Sequence, residues 1–198
     1  VNKKLVAALS GGAVLLMALS GCSGGDDSDS KVNDWAKKVC DQVQPQLSKI
    51  AGANTSIQQA TSDSSKPAEV QRTDSAAFQS ISEAYRSLGA AVDSAGAPPG
   101  KEGETTQQEA VKELNATSTA YAGLKTKVDA LDIKDQAKFA DGLKDVADEL
   151  DKLSNSGDKA LRQLQSGDVG KAMAKQPGCQ KPSATGGSAA PTAAGSES

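Results

Sequence analysis

Apolar residues through the middle of the chain recur at steps of mostly three and four. Val32, Trp35, Val39, Val43, Leu47, Ile50 and Ile57 form one such stripe, and Val70, Phe78, Ile81, Tyr85, Leu88 and Val92 a second. Val111, Leu114, Tyr121, Leu124, Val128 and Leu131 form a third; Phe139, Leu143, Val146, Leu150, Leu153, Leu161 and Leu164 form a fourth and cleanest one. This spacing keeps each set on one face of an α-helix, and no convincing period-two alternation competes with it. Four stripes of the a/d type need one another to leave water. They predict an all-α fold, an elongated up-down-up-down four-helix bundle with helices of about 25 to 30 residues, roughly 40 Å long. Because large apolar residues are few, abundant alanine must let the helices approach closely to fill the core.

Turn and cap residues punctuate the stripes. Gly96, Pro98, Pro99 and Gly100 stop the second helix, Pro67 suits the first turn of that helix, and Thr106 with Glu109 forms a capping box for the third. Asp132 is a cap for the fourth. Pro45 interrupts the first stripe, where a missing N–H predicts a kink or a break.

The ends of the chain have a different composition. Lys3 and Lys4 precede an apolar and small-residue run from Leu5 to Leu19, after which the chain turns polar through Ser30. Basic charge before a short apolar segment is the layout of an export signal, and the run falls short of the 18 or so apolar residues of a permanent span. Val1 in the initiating position reads as a non-AUG start translated literally, with methionine expected there. Residues 23–30 contain no large apolar side chain and read as a flexible tether, and residues 181–198, rich in Ser, Ala, Gly, Pro and Thr, as a disordered tail.

Leu19, Ser20, Gly21 and Cys22 close the apolar run. This tetrad resembles the lipobox of bacterial lipoproteins. The resemblance implies a diacylglycerol on the Cys22 thiol, palmitate among its acyl chains, and cleavage between Gly21 and Cys22. Small residues fit an extended segment into a protease groove, and only a thiol forms the thioether. The expected division is therefore a lipoprotein signal peptide over 1–21, a tether over 22–30, a helical bundle over 31–180 and a disordered tail over 181–198. In composition and layout the whole chain is similar to small secreted lipoproteins of actinomycetes, which implies a place in the cell envelope: the extracytoplasmic face of the cell membrane, held by lipid.

Charge and chemistry narrow the function classes. A formal net charge of -3 provides no electrostatic drive toward nucleic acid. The sequence contains no histidine, so the commonest general base and the commonest transition-metal ligand are both missing. With Cys22 lipidated, two of the three cysteines are left in an oxidising compartment, and Cys40 and Cys179 are expected to pair. An up-down-up-down order returns the end of the last helix to the start of the first, where that bridge would form.

The remaining candidates are weak. Asp141, Asp145 and Asp148 fall on one helical face as a carboxylate row, but Lys138, Lys144 and Lys152 alternate with them as on an ion-paired, solvated face. Gly100, Lys101 and Gly103 lack the context of a phosphate loop. Asn54-Thr55-Ser56 and Asn115-Ala116-Thr117 match the glycosylation sequon, and Trp35, Tyr85 and Tyr121 read as core. No catalytic residue, metal-ligand set or cofactor is implied. The expectation is a non-enzymatic interaction or structural module contacting an envelope protein or cell-wall component. The alternative is a small-molecule binding or sensing lipoprotein with a pocket between helices, for which Thr117, Ser118 and Gly157 are the visible gaps in the stripes.

Overall fold

A computed structural model describes residues 24–60, 66–156 and 164–180. The elements there are helical: α1 (Gly24–Ala60), α2 (Pro67–Ala95), α3 (Gly103–Asp129), α4 (Gln136–Ser156) and α5 (Gly167–Lys175), followed by a 3-10 turn over Pro177–Cys179. The signal segment, the lipobox and the tail 181–198 lie outside the described residues. No described helix is long and apolar enough to cross a membrane.

The first three stripes are the buried faces of α1, α2 and α3. α1 starts at Gly24, inside the segment that composition marks as a tether, because extending an existing helix fixes one residue for each new hydrogen bond whereas nucleation fixes several. It also runs through Pro45 without a break. Pro45 and Asp41, whose carbonyl loses its helical partner, are both exposed residues. Pro67 opens α2, and Gly96, at φ 77°, ends it.

Two caps differ from the expectation. α3 begins at Gly103, and Thr106 lies buried inside its first turns with its N–H donating to the Glu102 carbonyl. The cause is a close approach: a β-carbon at residue 103 would run into the Pro98 carbonyl, so the glycine lets the helix start against the loop. At α4 the cap is Asp135, whose carboxylate accepts the Lys138 N–H at 3.1 Å. Asp132 instead accepts the Lys134 N–H in the preceding turn.

The count of helices is also a correction, five among the described residues where four stripes predicted four. The fourth stripe is divided between two cores. Val146 of α4 packs with Ala53 of α1, Ala77, Phe78 and Ile81 of α2, and Leu124 and Val128 of α3. Leu164 joins the other end, where Val32, Trp35 and Val39 of α1 meet Leu88 and Val92 of α2, Leu114 of α3 and Ala172 of α5. Gly167, at φ 60°, begins α5 in a backbone conformation that other residues adopt at a cost.

α2 packs along both α1 and α3, and α4 packs on α3. Alanine does bring the helices together: Ala36, Ala84 and Ala110 are fully buried. Between α2 and α3 the Ser82 and Ser118 hydroxyls each donate to the other's backbone carbonyl at 2.8 Å, a dry reciprocal pair. Trp35 Nε1 donates to the Gly96 carbonyl at 2.8 Å, tying the early part of α1 to the end of α2. Cys40 and Cys179 meet at disulfide distance, with alpha carbons 4.9 Å apart. Gly178 lies so close over the Cys40 carbonyl that a β-carbon there would collide with it.

Candidate functional site

The i, i+4, i+8 spacing of Val39, Val43 and Leu47 sets three apolar side chains in line along α1. Opposite them stand Tyr85 and Leu88 of α2 and Leu114 of α3. The chain leading into α5 adds Leu164 and Gln165, and α5 itself adds Met173. Together they enclose a cavity of about 180 Å³. Its inner wall is buried (Leu88, Leu114 and Leu164), whereas Val43, Leu47 and Tyr85 are half-buried and Gln165 is exposed. The cavity is therefore deepest where Val39, Leu88 and Leu114 meet and reaches the surface near Val43, Leu47 and Gln165.

The cavity residue Tyr85 belongs to an aromatic stack. Tyr85 lies parallel to Tyr121, with ring centroids 5.6 Å apart and planes 10° from parallel, and Phe78 meets Tyr121 at 6.1 Å. Burial, and secondarily the neighbouring Tyr85, push the Tyr121 hydroxyl up to about 12, so it keeps its proton and is no base near neutrality. Trp35 is a core residue as expected of a stripe member, and Tyr121 is half-buried against the second core. Tyr85 is also a cavity wall, which periodicity alone does not reveal.

Asp74 is the other unexpected feature. It is 5% exposed, burial pushes its carboxyl up to about 6, and its Oδ1 has no hydrogen-bond partner among the described residues. The signal was present in the sequence: Asp74 falls midway between Val70 and Phe78, at the step of four where the second stripe should carry an apolar residue.

A wider cleft of about 450 Å³ lies between the α2–α3 loop and the start of α5, lined in part by Lys101, Glu102, Thr106 and Asp168. Gly100 and Gly103 belong to it, with the Gly103 N–H turned back onto the Gly100 carbonyl at 3.3 Å. That arrangement closes a turn and does not aim successive amides at an anion.

Other nominated residues stay apart. Asp141, Asp145 and Asp148 are exposed, as are Lys138, Lys144 and Lys152, and Lys138 pairs with Asp135 at 3.2 Å. Among the described residues no three carboxylate or thiol groups converge as a metal site. Asn54, Thr55, Ser56 and Asn115 are exposed, and Thr117 is half-buried. Ser118, a gap in the third stripe, seals the α2–α3 contact and does not line the cavity. Leu19, Ser20, Gly21, Cys22 and Gly157 lie outside the described residues. Cys40 and Cys179 are the nominated pair that the structure brings together.

The chain matches no protein-family model, no curated protein and no solved structure. Its own residues therefore carry the functional reading.

Proposed function

We propose that this chain is a lipid-anchored protein of the extracytoplasmic face of the cell membrane whose helical domain acts by binding. The tetrad Leu19, Ser20, Gly21 and Cys22, after a basic and apolar leader, supports the anchor. The absence of histidine, and the exposure of the carboxylates of Asp141, Asp145 and Asp148, favour binding over catalysis.

Two binding modes compete, and the cavity favours one of them. An apolar space between helices is the usual place for a ligand in a bundle, so the small-molecule reading rests on the 180 Å³ cavity. The other mode, contact with an envelope protein or cell-wall component, calls for an apolar surface patch. Ile133, at 41%, is the large hydrophobic residue exposed among those described, which is less than such a patch needs.

We read the domain as an up-down-up-down bundle, with α5 as an added brace. Trp35 against Gly96, and Gln71 against the Val128 and Leu131 carbonyls, support alternating directions for α1, α2 and α3.

The anchor is tested by Cys22→Ser. Lipid labelling and lipoprotein-type processing should be lost, and the mutant protein should leave the membrane fraction or persist as precursor. Unchanged membrane retention of a processed mutant would sink the assignment.

A further inference from the structure

Resting on the small-molecule reading, we infer that the cavity between α1, α2 and α5 takes the apolar end of a small amphiphile: a single ring, or an alkyl chain of about six to eight carbons, since an apolar cavity of about 150 Å³ holds one benzene.

Volume and lining both select that class. At about 180 Å³ the space is too small for a drug-sized molecule, which usually needs 300 Å³ or more, yet ample for a short chain. Water is a poor occupant, because a buried water needs two to four polar partners. The walls offer hydrocarbon and the Met173 thioether, with Tyr85 and Gln165 as the residues carrying polar atoms. Met173 adds a flexible, polarisable wall that adapts to different chain shapes.

Burial gives the ligand a direction. Leu88, Leu114 and Leu164 form the dry end, and the half-buried Val43 and Leu47 with exposed Gln165 form the mouth. The alkyl end enters toward α3 and the polar end stays in water beside the Gln165 amide. Among the described residues no charged side chain lines the cavity, so chain length and not head-group charge sets the affinity.

The test uses the exported full chain with its cysteine pair intact and 1-alkanols from butanol to decanol. Binding is followed by thermal shift and by the fluorescence of Trp35 and the stacked tyrosines. Affinity should rise about fourfold per added methylene, as burial of a CH₂ predicts, then level off at about six to eight carbons once the cavity is full. Val43→Phe, which fills the mouth, should weaken 1-octanol at least tenfold. Should that variant not fold, Leu47→Phe, at the same rim, provides the same reading.

Affinity that keeps rising to decanol and ignores both substitutions would place the alkanols on the surface and overturn the inference. So would the absence of stabilisation by any alkanol. In that event, saturable binding of a polar small molecule would overturn the apolar class alone. Crosslinking to an envelope protein without any small-molecule binding would sink the parent reading as well.

Discussion

Asp74 makes the stability of this domain depend on pH in the direction opposite to an ordinary paired carboxylate. Burial is the cause of its shift, and no cation among the described residues offsets it, so the folded chain holds the Asp74 proton up to about pH 6 whereas an ordinary aspartate, at 3.8, has released it. Between about pH 4 and pH 6 the folded form binds more protons than the unfolded form, and the free energy of unfolding falls as pH rises through that window. Below it the carboxyl is neutral in both states. Above it the folded chain carries a buried charge. At about 1.4 kcal/mol for each factor of ten, the distance from 3.8 to about 6 corresponds to about 3 kcal/mol, a large part of the 5 to 15 kcal/mol typical of a whole domain.

Asp74→Asn removes the charge while keeping the shape. The variant and the natural chain should unfold at nearly the same denaturant concentration at pH 4, and by pH 7.5 the variant should be more stable by up to about 3 kcal/mol. Urea unfolding followed by circular dichroism at pH 4, 5, 6 and 7.5 measures this directly. Other carboxylates do not blur the comparison. Hydrogen bonds from Lys125 first, and from Ser75, hold Asp129 below its usual range, and the Lys138 N–H does the same for Asp135. Their contributions are present above the ordinary carboxylate range, are lost as pH falls below it, and are common to both proteins. A difference between variant and natural chain that is constant across the four pH values would refute the assignment of a buried, charge-intolerant Asp74.

Gly178→Ala should lower stability by about 1 to 3 kcal/mol, because its β-carbon meets the Cys40 backbone carbonyl, which cannot rotate away. An unchanged melting temperature would mean that the turn over Pro177–Cys179 does not press on α1. Ile81→Ala, at a fully buried position, should cost about 2 to 5 kcal/mol, and Leu143→Ala distinctly less because Leu143 is only half-buried; equal losses in urea unfolding would contradict the burial pattern. Non-reducing peptide mapping should recover the Cys40 and Cys179 peptides joined. Reduction across their 139-residue separation should lower stability by about 3 to 5 kcal/mol without abolishing helicity, whereas free alkylation of both thiols in the native protein would refute the bridge.

Helices α1 to α4 were legible because a helical face is a local property: side chains three and four residues apart share it whatever the rest of the chain does. Boundaries were less so. Thr106 and Asp132 are both sound caps by residue type, but Asp135 is equally sound, and what lets α3 start at Gly103 is the lack of a β-carbon beside the Pro98 carbonyl, a closeness outside any helical period. Leu164 continued the spacing of Phe139 to Leu153 and yet belongs to the opposite core, because a stripe records phase and carries no information about whether the axis stays straight. Asp74 stood in plain view as a charge at a stripe position. The cavity did not, since it is what remains after the volumes of residues from α1, α2, α3 and the α5 region are subtracted from the space between their axes. Val43 and Leu88 are both correct core residues by pattern, and only their separation in space, fixed in part by where α5 is held against α1, decides whether they touch or leave room for a ligand.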